Sequence, residues 1–339
     1  MAEASIGWAI AGTGAIAQRF AADMRHAKRG RVVAIASRNA DRARRLAGAI
    51  GPEVRAGGLD AILADPAVTA VYVAGRNEDH RAVALRALRV GKPVLVEKPF
   101  ATRLAEAEEI AEAASGAGLF AMEAMWMRFT PGFRRLKALV DRGAVGEIRS
   151  IRADLSFRND RIDTPPLLDL GVYPLSLVLA LVGAPTSVVA AETADRRSAS
   201  LVLSYPNALA SFSCGFAAEG ANELVVTGTD GVLTAASPFF CPSLLTLRRM
   251  SAASQPSEGL PSALPDRPRL PWLGSAKAML RPLRARRFPI VFEGSGLQYQ
   301  ADHVAECLTE GRLESPVMPL AASLEALRLI EAAQRQLAS

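Results

Sequence analysis

Val94-Leu95-Val96-Glu97-Lys98-Pro99 is an apolar run that ends in Glu-Lys-Pro. It lies one Rossmann half downstream of Gly12-Thr13-Gly14-Ala15-Ile16-Ala17. A buried strand with a lysine at its carboxyl end delivers that lysine into the crevice where open α/β sheets bind ligands. A glycine fingerprint on the first strand makes the neighbouring ligand a dinucleotide. The two stretches together predict a lysine beside a nicotinamide ring, and so an NAD(P)-dependent oxidoreductase.

Working outward, strand and helix patterns alternate over the first third of the chain. Strands are predicted at Ser5–Ala11, Arg31–Ser37, Val68–Ala74, Pro93–Val96 and Leu119–Met125. Helices are predicted between them, at Ala15–Arg25, Asp41–Ile50, Asp79–Val90 and Leu104–Ala114, with a short piece at Leu59–Leu63. This rhythm implies a parallel sheet with right-handed crossovers. After about residue 122 the rhythm changes. A helix at Gly132–Arg142 is followed by six strand-like runs between Ile148 and Arg248, with one helix at Leu170–Leu181 among them. The last elements are helices at Gln298–Thr309 and Ser323–Leu337. The fold class is therefore α/β. A Rossmann domain over residues 1–122 is followed by an α+β domain over 123–339 with an open, mostly antiparallel sheet, and the C-terminal helix is free to pack back on the first domain.

Composition narrows the function. The 339 residues carry 40 Lys and Arg against 34 Asp and Glu. Nine of the basic residues and only two acidic ones fall in 248–290, so that segment holds +7 and the rest sums to −1. The basicity is local, which argues against nucleic acid as the partner. No apolar run reaches the roughly 18 residues of a membrane span. No secretory leader is read at the start, and the 3 cysteines fit a reducing cytoplasm better than a disulfide framework. The 3 histidines, His26, His80 and His303, lack metal-ligand spacing. Segment 248–290 also holds seven prolines, which oppose a long helix or strand. A basic amphipathic turn over Ser275–Arg287 would serve as an active-site lid, an acidic-partner contact or a membrane-surface anchor; a solvated insertion is the plainer reading.

Gly12 permits the tight turn, Gly14 lets backbone approach the pyrophosphate, and Ala15 and Ile16 open the helix whose N–H groups face it. After the second strand stand Ser37 and Arg38, where an NAD-preferring site has Asp or Glu. A hydroxyl and a guanidinium suit a 2′-phosphate, so NADP is favoured and NAD is second choice. Asp169 and Tyr173, four apart at the start of an apolar helix, share a face. With Lys98 they form an acid–base set in which the ammonium is expected to lower the phenol pKa. Helix capping by Asp169 and core packing by Tyr173 is the competing reading.

The set resembles the glucose–fructose oxidoreductase/inositol dehydrogenase-like (Gfo/Idh/MocA) family over nearly the whole chain. The carrying motifs are Gly12-x-Gly14-x-x-Ala17, Asn77-x-x-His80, Glu97-Lys98-Pro99, Met122-Glu123-Ala124-Met125-Trp126-Met127-Arg128-Phe129 and Asp169-x-Gly171-x-Tyr173. The last two are most similar to the dihydrodiol dehydrogenase and NADP-linked xylose dehydrogenase subgroup. The resemblance implies catalytic Lys98 and Tyr173, with Asp169 binding a substrate hydroxyl or orienting the site. It implies a cofactor lying across Gly12, Gly14, Ser37, Arg38, Gly75, Arg76 and Asn77, with His80 and Glu97 adjacent, and a pocket lined by Trp126, Arg128 and Phe157. The expected substrate is a sugar, cyclitol or related polyhydroxylated ring, and the expected assembly a homodimer or homotetramer. Two alternatives stay open: a reductase of a carrier-linked sugar, and a non-catalytic nucleotide sensor. Two departures matter. Gly75-Arg76-Asn77 stands where relatives carry a Thr-Pro-Asn type loop, and the stretch before Asp169 is short and holds Pro165 and Pro166 where relatives are glycine-rich.

Overall fold

A computed structural model describes residues 5–160, 164–250 and 285–338. The first sheet has the strand order β3-β2-β1-β4-β5-β6, every pair parallel. Its strands are β1 (Ile6–Ala11), β2 (Gly30–Ala36), β3 (Arg55–Gly57), β4 (Ala70–Val73), β5 (Val94–Glu97) and β6 (Ala121–Ala124). Four of them, β1, β4, β5 and β6, are buried at every position, as expected of parallel strands covered by helices on both faces. Those helices are α1 (Ala15–Asp23), α2 (Ala40–Ile50), α3 (Leu59–Leu63), α4 (His80–Arg89) and α5 (Leu104–Ala117). The order reverses between β1 and β4, which opens the ligand crevice at the carboxyl ends of those strands.

Helix α6 (Pro131–Asp141) leads into the second sheet, capped by Thr130, whose hydroxyl accepts from Phe133 N. That sheet runs β14-β13-β12-β11-β7-β10-β9-β8. It comprises β7 (Ile148–Ser156), β8 (Ser187–Glu192), β9 (Ser198–Ser204), β10 (Leu209–Gly215), β11 (Leu224–Gly228), β12 (Gly231–Ala235), β13 (Leu244–Arg249) and β14 (Arg286–Pro289). Only β7 and β10 pair in parallel; the other pairs among the described strands are antiparallel.

Three strands escape the sequence pattern: β3, β12 and β14. Each has three to five residues, too few for a period of two to register. The strand β14 lies inside the basic stretch 248–290 and pairs with β13. The remainder of that stretch, 251–284, lies outside the described residues, as does most of the turn expected over Ser275–Arg287.

The helix expected at Leu170–Leu181 is α8 (Val172–Val182), preceded by a separate single turn, α7 (Pro166–Asp169), that the sequence pattern did not show. The break falls at Leu170 and Gly171, where a Cβ on Gly171 would stand 2.6 Å from the Leu167 carbonyl oxygen. Helix α9 (Leu297–Thr309) packs on residues 126–129 and α1, and α10 (Leu320–Ala338) packs on β8 and α5. Leu104 N donates to Glu331 Oε1 at 2.8 Å and Gln336 Nε2 to the Val188 carbonyl at 2.9 Å, so α10 ties the two sheets together. None of the described helices is long and apolar enough to cross a membrane.

Candidate active site

The turn after β1 is shaped for close approach. Gly12 has φ +146, and a Cβ there would stand 2.2 Å from the Ala74 carbonyl oxygen. At Gly14 a Cβ would meet nothing within 4 Å, so the turn faces open space. Helix α1 starts at Gly14 with no side-chain cap and no acidic residue in its first turn. Its first N–H groups and dipole end are left for an anion. A cleft of about 300 Å³ begins there, lined by Ala15, Ile16, Arg19, Gly75, Asn77, His80, Glu97 and Lys98. His80 Nδ1 donates to the Pro99 carbonyl at 2.9 Å, while its buried Nε2 has no protein partner. Burial lowers the His80 pKa against the pull of that carbonyl, so the ring is neutral at pH 7. The glycine cradle, the uncapped helix and the orphaned imidazole nitrogen fit a dinucleotide.

The end of β2 places Ser37 and Arg38 near the start of α4. Ser37 Oγ accepts from Asn39 N at 3.1 Å, and the exposed Arg38 reaches Asp79 at 2.8 Å. Arg76 also faces Asp79, at 3.4 Å. Asn77 Nδ2 donates to Thr164 Oγ1 at 2.9 Å, joining the nucleotide half to the proline-containing loop before Asp169. A second hollow, about 450 Å³, is lined by Thr13, Gln18, Arg42, Arg45, Leu46 and Ala49. Arg42 and Arg45 carry no distinct signal in the sequence, because charges on a helix next to a turn ordinarily read as a solvated face.

Lys98 leaves the end of β5 with its side chain 15% exposed. Its ammonium donates to Asp169 Oδ1 at 2.5 Å and to the Asp169 carbonyl at 2.9 Å. It sits 5.2 Å from the centre of the Tyr173 ring. Burial acts to lower the Lys98 pKa, but Tyr173, Asp169 and Glu97 together outweigh it, and the net direction is up. The group is an ammonium at neutral pH. Lys98, Asp169 and Tyr173 are therefore brought together, although Asp169 and Tyr173 belong to separate helices.

Tyr173 departs from the sequence expectation. Its pKa is raised, because desolvation by burial exceeds the lowering by the Lys98 ammonium. The phenol keeps its proton at neutral pH. Trp126 Nε1 donates to Tyr173 Oη at 3.2 Å, which orients the hydroxyl.

Trp126 and Phe157 both line an aromatic cluster with Tyr173, and the common member is Phe240. Its ring centroid lies 5.8 Å from Trp126, 6.3 Å from Phe157 and 5.5 Å from Tyr173. Phe240 sits in the loop after β12, and its only sequence signal is the Phe239-Phe240 pair between Pro238 and Pro242.

Arg128 goes elsewhere. It is 3% exposed; its Nε donates to Ser176 Oγ at 2.9 Å, Nη1 to the Val317 carbonyl at 3.0 Å, and Nη2 to the Ser176 carbonyl. Burial lowers its pKa to about 10 even with Glu123 nearby. It borders a separate hollow with Phe133, Lys137 and Val317, and none of that hollow's lining residues borders the Lys98 cleft. Its guanidinium holds backbone together, so the expected place in the substrate pocket is corrected.

Two buried carboxyls stand behind the lysine. Tyr72 Oη donates to Glu97 Oε1, and Lys98 N donates to Glu97 Oε2 at 3.1 Å. Burial pushes the Glu97 pKa up to about 7, against the lowering by Tyr72 and Lys98. Glu123, whose sequence signal is its place in the Met122–Phe129 motif, accepts from Phe100 N at 3.0 Å, and burial raises its pKa too.

A dinucleotide cradle on a Rossmann sheet, with an ammonium and a phenol at the crevice, defines an NAD(P)-dependent oxidoreductase. The chain belongs to the Gfo/Idh/MocA family. The family model described as "Oxidoreductase family, NAD-binding Rossmann fold" matches residues 6–125, and the GFO/IDH/MocA C-terminal domain matches 133–234. Trans-1,2-dihydrobenzene-1,2-diol dehydrogenase from Bos taurus is 30% identical over 93% of this chain and 92% of that protein. The enzyme of that name from Oryctolagus cuniculus is 31% identical over 86% of each. A 3-ketoreductase from Actinomadura kijaniata, solved with NADP and TDP-benzene, is 25% identical with a TM-score of 0.76 over 97% of both chains. An aldose-aldose oxidoreductase from Caulobacter crescentus shares the fold, with a TM-score of 0.80 at 24% identity.

Proposed function

We propose that the protein is an NADP(H)-dependent dehydrogenase or reductase acting on a carbinol/carbonyl pair of a sugar, cyclitol, dihydrodiol or similar ring. The observation that carries this reading is the Lys98 ammonium, held by Asp169 beside the Tyr173 ring at the carboxyl edge of β5. A nicotinamide held in the cleft lined by Ala15, Ile16, Asn77 and Lys98 would supply or accept the hydride. In the reducing direction the protonated Tyr173 hydroxyl passes its proton to the substrate oxygen, and the Lys98 ammonium stabilises the charge that develops there. Asp169 anchors the ammonium, and Trp126 fixes the phenol. The aromatic faces of Trp126, Phe157 and Phe240 suit the C–H face of a ring substrate. Ser37 and Arg38 read the 2′-phosphate. Arg42 and Arg45, which have no carboxylate partner among the described residues, add positive charge near the glycine turn.

A second reading, a reductase of a nucleotide-linked sugar, is favoured by the 3-ketoreductase solved with TDP-benzene, which covers 97% of this chain. Residues 1–122 serve the nucleotide in either case, and 123–339 the substrate and assembly. Val189, Val202 and Leu209 on the second sheet are exposed, and a second copy covers them in a homodimer or homotetramer. The free cysteines Cys214, Cys241 and Cys307 suit a reducing cytoplasm.

The test is Lys98→Met and Tyr173→Phe, assayed with NADP⁺ against a panel of free sugars, cyclitols and dihydrodiols. Each variant is expected to lose turnover by about 10²-fold or more while NADPH affinity stays nearly intact. Near-normal turnover in either would refute the assignment.

A further inference from the structure

Asp79 closes the short turn Asn77–Asp79 that runs into α4, with helical backbone angles, and its carboxylate makes no capping bond to that helix. It turns toward Arg38, 41 residues away, at 2.8 Å, and the same oxygen faces Arg76 Nε at 3.4 Å. Strands β2 and β4 flank β1 on opposite sides. Arg38 follows β2 and Asp79 follows β4, so their ion pair crosses the carboxyl end of β1, over the glycine turn. The bridge thus lies on the adenosine side of the cleft, at the group that would read the ribose. Arg76 is held twice, by Asp79 and by Glu78 at 3.2 Å, whereas Arg38 has Asp79 as its only ion-pair partner among the described residues. Two guanidinium groups face two carboxylates, and the cluster is neutral.

We propose that Asp79 is a specificity-determining residue that opposes the 2′-phosphate: it holds Arg38 when no phosphate is present and thereby narrows the preference for NADP(H) over NAD(H). This rests on the reading of Ser37 and Arg38 as the 2′-phosphate site. A phosphate dianion arriving at a neutral cluster gains less than one arriving at a bare guanidinium, and it meets the Asp79 charge at close range. NAD(H) brings no such charge and binds with the Arg38–Asp79 pair intact. The side chains are 77% and 28% exposed, so solvent and salt screen the effect.

The experiment is fluorescence titration with NADPH and NADH of the wild type, Asp79→Asn and Glu78→Gln, at low and at high salt. Asp79→Asn is expected to tighten NADPH about fivefold and to leave NADH within about twofold, with the gain fading at about 0.5 M salt. Glu78→Gln, which does not touch Arg38, is expected to do much less. An NADPH affinity that is unchanged or weaker in Asp79→Asn, or a parallel shift of both nucleotides, overturns the proposal. The wild-type ratio reports separately on the Ser37/Arg38 reading. Wild type preferring NADH corrects that reading, while a rise in the NADPH/NADH ratio on Asp79→Asn still supports the role of Asp79. Wild type binding neither nucleotide overturns both.

Discussion

Glu97 lies between the Tyr72 hydroxyl and the Lys98 backbone with its pKa raised from 4.5 to about 7. Because the folded pKa is above the unfolded one, its contribution to stability is complete below about pH 4.5 and is lost as pH rises through 7. Glu97→Gln removes that dependence. The melting temperature of the variant relative to wild type should therefore rise between pH 5 and pH 8; an offset equal at both values would exclude a titrating Glu97. At this scale the sequence points to Lys98 and Tyr173 as neighbours but not to their protonation. Lys98 is legible because a strand end points one way. The direction of the Tyr173 shift is not, because it depends on whether burial or a neighbouring charge is larger. Arg128 is misread for a related reason: motif position places its backbone, but its side chain turns to Ser176 and Val317, which are distant in sequence.

Among the elements, α9 is capped from outside itself. Its N-cap is Gly296, at φ +109, with no side chain to offer. Asp23, at the end of α1, supplies the acceptor: its carboxylate takes Ser295 N at 2.9 and 3.0 Å and Leu297 N at 3.0 Å. Asp23 is buried, so its loss leaves donors unsatisfied as well as uncapped. Asp23→Ala should cost about 2 kcal/mol in urea unfolding. A loss below about 0.5 kcal/mol would show that water replaces the carboxylate. A long amphipathic element such as α6 and an apolar run such as Val94–Val96 are legible from spacing. The three-residue β3 is not, because its pairing with β2 supplies what its own pattern lacks. Nor is the break between α7 and α8, which Gly171 permits by packing against Leu167.

Across the whole molecule, Arg128 and α10 hold the two sheets in one body. Arg128 joins the segment after β6 to α8 and to the Val317 backbone. Arg128→Leu leaves the Ser176 and Val317 carbonyls without that donor and should destabilise the protein by about 3 kcal/mol. NADPH affinity should stay within about twofold of wild type, since the guanidinium lies outside the Lys98 cleft; a large loss of nucleotide affinity with unchanged stability would reverse this assignment.

Local pattern alone determined the strand–helix alternation of the Rossmann half, the glycine turn and the strand-end lysine, because each depends on residues adjacent in the chain or repeating at a helix or strand period. Only the tertiary structure decided the protonation of Tyr173 and Glu97, the diversion of Arg128, the arrival of Phe240 at the site and the meeting of Arg38 with Asp79. Those depend on burial and on contacts between residues far apart in the chain, and no spacing in the sequence encodes them.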